Sequence, residues 1–355
     1  MRYLKKVLFY IFLLLSLPTG VMAQDAMFSQ TYASPMYLSP SFTGLTDGSR
    51  ITLNYRDQWP GIPGTYRTMA FAADHFFSDY SSGVGIMFVR DDQGSGQLVK
   101  QNIGILYAYE FEVTQGVFVR PGIQFKYAEQ KIDPTSIISP EDLNPDDGTV
   151  MPRGRSYIIT DSYKRFDASA SAMIYSDLFW AGISVDNLIK KDIGFTDIET
   201  YTPVKTTIYG GYKIRYRERG LRYKHDEQSI SLTANYFMQD KFRQLSIGAY
   251  WYINPLEIGL WYRGIPFATS KKLSNNDAIV MILGVSFGNI RFSYSYDYTL
   301  SDLAGSSNGA NEFSIMFKFN RRYKKNMYRS VIPERFGDTY RSGGSKYKRR
   351  SHKIF

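Results

Sequence analysis

The sequence predicts an all-β fold, a transmembrane outer-membrane β-barrel of about 14 antiparallel strands. Three observations carry the prediction. Strict alternation of apolar and polar residues recurs along the chain, while helix-period segments are scarce and no apolar run after residue 23 reaches the roughly 18 residues of a membrane helix. Tyr, Phe and Trp make up 16% of the residues, a share that suits a lipid-facing band with aromatic girdles and that a soluble surface does not need. The polar faces carry charge at mid-strand, as in Arg120, Gln124 and Lys126 or Lys213, Arg215 and Arg217, which suits a wet lumen better than a dry core. A secreted β-sandwich also alternates, but it rarely needs so many long strands.

Residues 1–23 read as a signal peptide. Arg2, Lys5 and Lys6 form the charged region, Val7 to Leu17 the apolar run, and Val21-Met22-Ala23 the small-x-small cleavage pattern. With no cysteine in the chain, there is no disulfide framework and no thiolate chemistry. Residues 24–48 are rich in aromatics and prolines and are not strand-like, so they are expected to fold into the lumen or across its mouth as a plug. Phe28, Gln30, Tyr32, Pro35, Tyr37 and Pro40 are its candidate residues.

The barrel is expected over residues 49–320. Its strands are predicted at 49–58, 66–76, 83–91, 98–112, 116–127, 166–176, 179–187, 205–217, 229–239, 242–253, 256–264, 277–287, 290–300 and 311–320. In the segment Ile290 to Thr299, Phe292, Tyr294, Tyr296 and Tyr298 share one face, and Arg291, Ser293, Ser295 and Asp297 share the other. An even count returns both ends of the barrel to the periplasm, with short turns inside and longer loops outside. Thr114-Gln115, Ser176-Asp177-Leu178, Asn254-Pro255 and Gly288-Asn289 fit as inner turns. Two neighbouring connections break the parity, a long inner one after residue 217 and a short outer turn at Gln239-Asp240-Lys241, and a miscounted strand there would explain both.

Residues 321–355 form a basic tail with twelve Lys or Arg against Glu334 and Asp338, a net of +10 that equals the excess of the whole chain. With the leader's Arg2, Lys5 and Lys6 also set aside, residues 24–320 are slightly acidic. A basic, Tyr-containing arm raises the idea of nucleic-acid binding, but this tail is expected in the periplasm, where no nucleic acid is expected. It is either solvated or a docking segment for an acidic periplasmic surface or inner-leaflet headgroups. Arg321, Arg322, Lys324, Lys325, Arg329, Lys348, Arg349 and Arg350 are its candidate contacts, and Arg56 and Trp59 are candidate partner-binding residues at the outer end of the first strand. Arg56 is read as a lumen-facing partner for an acidic group, and Trp59 as an interfacial or loop anchor.

Catalytic chemistry is not expected. Of the three histidines, His352 is in the tail, His225 lies in a charged inner turn, and His75 leaves its strand on the face opposite its neighbour Asp74, so the two cannot act as a dyad. The acidic stretch Glu141 to Gly148 lacks the spacing of a calcium loop, and no metal or cofactor is expected. Gly83 and Gly85 are read as strand positions that permit curvature or close backbone approach rather than as a phosphate cradle.

Several motifs carry a resemblance. Asp25, Phe28-Ser29-Gln30, Pro35, Tyr37-Leu38, Pro40 and Gly44 resemble the mature start of the PorP/SprF family of Bacteroidetes outer-membrane proteins. Tyr55-Arg56-Asp57-Gln58-Trp59, Gly182-Ile183-Ser184-Val185 with Asn187-Leu188, and Tyr294-Ser295-Tyr296-Asp297 with Ser301 and Gly309-Ala310-Asn311-Glu312 continue it, with Asn311 where His would be expected. The resemblance covers residues 24–320 and implies a role in type IX secretion. Family members are associated with export or surface attachment of large adhesins and with gliding motility. Implied partners are outer-membrane lipids, periplasmic ring or lipoprotein components, and secreted adhesin cargo. The alternative is an outer-membrane diffusion pore or hydrophobic-ligand transporter, for which the barrel would be wide enough.

Overall fold

The computed structural model describes residues 25–46, 48–94, 98–133, 162–190, 201–217, 228–240, 242–264, 276–300 and 305–319. Alternation folds into strands β1 (Ser49–Gln58), β2 (Thr65–Phe77), β3 (Ser82–Gly94), β4 (Leu98–Tyr109), β5 (Phe111–Thr114), β6 (Val117–Lys131), β7 (Ser162–Tyr175) and β8 (Phe179–Asp186). These are followed by β9 (Lys205–Arg217), β10 (Gln228–Gln239), β11 (Phe242–Ile253), β12 (Leu256–Gly264), β13 (Asn276–Phe287), β14 (Ile290–Thr299) and β15 (Ala310–Phe319). Every pairing is antiparallel between sequence neighbours, and β1 pairs with β15 from Ser49↔Phe319 to Gln58↔Ala310, so the sheet closes on itself. Closure removes the unpaired edges that lipid does not tolerate.

Fifteen segments make fourteen barrel strands. β4 pairs β6 as far as Ala108↔Gly122, and β5 resumes at Phe111↔Val119 without a change of register. The position opposite Tyr109 in that register is Pro121, which has no N–H to donate to the ladder. β4 and β5 are thus one strand with an interruption, matching the single segment expected at 98–112.

The apparent parity breaks are not a miscount. β10 pairs β9 from Gln228↔Arg217 to Gln239↔Lys205 and pairs β11 along its whole length. The connection at 240–241 is therefore short and lies at the end that residues 59–64, 95–97, 132–161, 187–204, 265–275 and 300–309 also connect. That end is called the loop mouth below. The opposite end, the turn mouth, carries the 3₁₀ turn Ser78–Tyr80 and the tight turns around Gln115, Asp177, Pro255 and Gly288.

Burial is inverted relative to a soluble protein. Ile105, Phe125, Leu260, Met281, Leu283 and Phe313 are more than half exposed on the outer face, whereas Arg50, Arg120, Ser295, Asn235 and Glu312 are fully buried. In β14 the aromatic face points out and Arg291, Ser293, Ser295 and Asp297 point in. A continuous apolar outer band with a polar interior is the arrangement lipid demands.

The interior is packed, contrary to the expectation of a wet lumen. Residues 25–46 lie within the barrel, turning at Pro35–Leu38 and Pro40–Phe42, each begun by a proline whose fixed φ favours the first helical position. Tyr32, Leu38, Phe42 and Leu45 cluster with Met173, Tyr175, Trp180, Tyr209, Tyr250 and Trp261 on one wall. Phe28 and Met36 pack on Ala70, Ala72, Met87, Val89 and Leu106 opposite.

Candidate functional site

The N-terminal segment is held at three levels of the lumen. Near the turn mouth, the backbone N–H of Gly44 donates to Asp74 Oδ2 at 2.6 Å, and Arg50 grips the same carboxylate from Nε and Nη2, both at 2.8 Å. Arg50 also donates to the carbonyl of Phe42 at 3.2 Å. Arg120, paired with Glu110 at 2.5 Å, donates to the carbonyls of Ser41, at 3.1 Å, and Thr43. Bidentate guanidinium geometry fixes direction as well as charge.

Glycines let the backbones meet here. Gly83 faces the segment so closely that a Cβ would sit 2.1 Å from the carbonyl oxygen of Thr43, and one on Gly44, itself at φ +66°, would sit 2.5 Å from Gly83 Cα. The close-approach reading of Gly83 thus applies, and the backbone that approaches is the N-terminal segment.

Toward the loop-mouth ends of β1, β12, β14 and β15, five separate stretches converge. Ser29 Oγ donates to Asp297 Oδ2 at 2.6 Å, and the Ser29 and Gln30 backbone N–H groups donate to Glu312 at 2.7 and 3.1 Å. Arg56 Nη2 donates to Asp297 at 2.8 Å, and its Nη1 donates to Ser29 Oγ at 2.5 Å and lies 3.3 Å from Glu312. Arg263 Nη2 also reaches Ser29 Oγ and lies 3.2 Å from Asp297. Gln30 Nε2 donates to the Glu312 carbonyl at 2.9 Å, and its Oε1 accepts from Ser293 Oγ at 2.6 Å. Two guanidinium groups and two carboxylates balance in charge, which is the condition for burying them. Tyr32 adds an aromatic anchor, its hydroxyl accepting from Trp180 Nε1 at 3.0 Å.

At the loop mouth, Asp25 Oδ2 accepts from Asn187 Nδ2 at 3.0 Å and Gln239 Nε2 at 3.1 Å, and the Asp25 N–H donates to Gln239 Oε1 at 3.2 Å. Burial pushes the Asp25 carboxyl up, but Lys205, Lys100, Lys126 and the Asn187 amide together hold it well below the usual carboxylate range. Tyr37 donates to the Ala26 carbonyl at 2.5 Å and carries the Lys205 ammonium 4.9 Å from its ring centroid.

The sequence-predicted residues separate. Arg56 is buried in the network around Ser29, and Phe28, Gln30, Tyr32, Pro35, Tyr37 and Pro40 belong to the threaded segment. Trp59 does not join Arg56. It lies beyond β1 at the loop mouth, half-buried, with its ring 5.6 Å from Tyr66. Asp74 pairs with Arg50 while His75 Nδ1 bonds Ser49 Oγ at 2.8 Å, on opposite faces as expected. Arg321, Arg322, Lys324, Lys325, Arg329, Lys348, Arg349 and Arg350, and likewise His225, His352 and the stretch 141–148, lie outside the described residues. Asp297 and Glu312 were read from sequence only as polar-face or motif positions, and Arg263 and Arg50 were not singled out; charge on the polar face of a strand was the available signal. Among the described residues no group of three His, Cys, Asp or Glu is disposed to hold a metal ion.

A closed fourteen-stranded barrel with an apolar outer band and a charged interior defines an outer-membrane β-barrel protein. The chain belongs to the family described as type IX secretion system membrane protein PorP/SprF, which it matches over residues 21–317. No curated protein matches it. Solved structures similar to it include the Acinetobacter baumannii outer membrane protein Omp33, at 9% identity and TM-score 0.42 over 78% of this chain and 100% of that one. The Ralstonia pickettii toluene transporter TbuX is similar at 9% identity and TM-score 0.45, over 80% of this chain and 91% of that one.

Proposed function

We infer that this barrel serves type IX secretion as a plugged, non-catalytic partner protein rather than as an open pore. Its loops would face the cell exterior and recruit an adhesin for export or attachment, with gliding motility a consequence of that display. Its turns and basic tail would face the periplasm and contact ring or lipoprotein components. The observation that supports this reading is the lumen, where residues 25–46 are anchored near both mouths by buried ion pairs and hydrogen bonds. A diffusion pore requires an open path, and a hydrophobic-ligand transporter a vacant apolar one.

Planar-bilayer recording of the purified barrel tests this. The intact protein is expected to be silent, and removal of residues 24–44 is expected to give steady current while heat-resistant folded barrel persists on gels. Large, steady current from the intact protein would overturn the plugged reading in favour of the pore.

A further inference from the structure

The loop-mouth contacts of Asp25 have the composition of a receptor for a carboxylate. Two side-chain amides donate to one oxygen, at 3.0 and 3.1 Å, and three lysines lend positive potential. None of these groups is specific to an aspartate of this chain. Asp25 also lies in the least buried part of the segment. Residues 25–27 are only partly buried, whereas 28–35 are buried, and the body of the segment has its own anchors at Ser29 and at the turn mouth.

The site has room beside its occupant. A cavity of ≈ 90 Å³ is lined by Asp25, by the cations Lys100, Lys126, Arg165 and Lys205, and by the acids Asp91, Glu129 and Asp186. The Lys126 and Lys205 ammonium groups lie 3.6 and 3.7 Å from Asp167 and Asp186, longer than the roughly 2.8 Å of a close charge-assisted bond. On the same wall, Gln124 is buried and its Nε2 has no hydrogen-bond acceptor among the described residues.

We propose that the loop mouth is a peptide-carboxylate site that Asp25 fills in cis, and that a carboxylate of an exported polypeptide exchanges with Asp25 there and loosens the N-terminal segment. The site would thereby report cargo at one mouth to the segment that spans the lumen. This rests on the secretion reading above only for the source of the peptide; the binding chemistry stands without it.

The chain has no cysteine, so Ala26→Cys gives a single thiol next to Asp25. Its modification rate by a membrane-impermeant thiol reagent is measured on the full-length barrel in nanodiscs. The probes are acetyl-Gly-Gly-Gly with a free C-terminus, acetyl-Gly-Gly-Asp amide, and acetyl-Gly-Gly-Gly amide. The first two are expected to accelerate modification by about tenfold, a usual size for coupling between sites, and the third not at all. Acceleration by only one carboxylate peptide assigns the ligand to a chain terminus or to an acidic side chain. Asp25→Asn in the same background should react fast without peptide and gain nothing from it. Calorimetry of the cysteine-free barrel provides a readout independent of the label, with binding expected for the carboxylate peptides alone. Equal response to all three peptides, response to none, or a slow Asp25→Asn variant would overturn the proposal. Channel silence of the intact barrel is a separate measurement, so the plugged reading and this site fail separately.

Discussion

Arg56 shows how much one side chain holds. It touches Asp297, Glu312 and Ser29 while almost fully buried, so truncation takes a guanidinium from both carboxylates, leaving Arg263 beside Asp297 and the Ser29 and Gln30 N–H groups on Glu312. Breaking a buried pair by removing one partner costs about 3–5 kcal/mol, chiefly because a charge is left uncompensated. Arg56→Ala is therefore expected to lower the urea midpoint of the folded barrel by that order, and Arg56→Met combined with Glu312→Gln to recover much of the loss. A double variant whose loss equals the sum of the singles would show that the groups do not act as a unit. Trp59→Ala removes a half-buried ring contact and should cost no more than about 1.5 kcal/mol. Asp25 gives a pH dependence with a defined sign. Its carboxyl is held below the ordinary 3.8, so its stabilising effect is complete above that value and is lost as pH falls further. The stability gap between the parent and Asp25→Asn should be constant from neutral pH down to about 5 and shrink below 4; a gap that narrows between pH 8 and 6 would contradict the assignment.

At the level of elements, alternation decides everything that lies in the wall. The period of two places Phe292, Tyr294, Tyr296 and Tyr298 outside and their neighbours inside, and the structure does the same. What alternation cannot give is the interior partner. Gly83 is legible as a strand glycine, yet nothing local indicates that Thr43, from a segment without strand character, presses on it. A Cβ at 2.1 Å from a carbonyl oxygen cannot be accommodated without movement of one backbone, and β3 is pinned on both sides by β2 and β4. Gly83→Val should therefore shift the N-terminal segment rather than the barrel. Its expected signature is normal insertion and heat-resistant migration, together with steady current in a bilayer where the parent is silent. Loss of the folded barrel would place the strain in the wall instead, and silence with normal folding would mean that the segment has another seat.

Over the whole molecule, the network around Ser29 joins residues as far as 283 positions apart. Sequence periodicity assigned Arg56 to the lumen and called for an acid, but several acids lie on polar faces, and only barrel closure selects Asp297 and Glu312 from β14 and β15. The resemblance motifs were legible as separate stretches; their convergence on Ser29 and Gln30 was not, because it depends on a chain that runs from one mouth to the other. Charge has the opposite character, since it is legible without any fold. Subtracting residues 321–355 removes the entire excess of +10. β15 runs toward the turn mouth, where Phe319 pairs with Ser49, and we propose that, in the usual barrel orientation, the tail that follows lies in the periplasm. Such a tail would hasten encounter with an acidic ring component and make the complex salt-sensitive, since the Debye length falls to roughly 3 Å at molar salt. Tyr323, Tyr328, Phe336, Tyr340, Tyr347 and Phe355 add apolar anchors that mere solvation does not require. A barrel ending at Asn320 is expected to insert normally but to co-purify with less of the periplasmic ring, and added salt should weaken the full-length complex more than the shortened one. If the shortened barrel keeps its partners at the same stoichiometry across that salt range, the tail is a solvated appendage and the contact must lie in the turns.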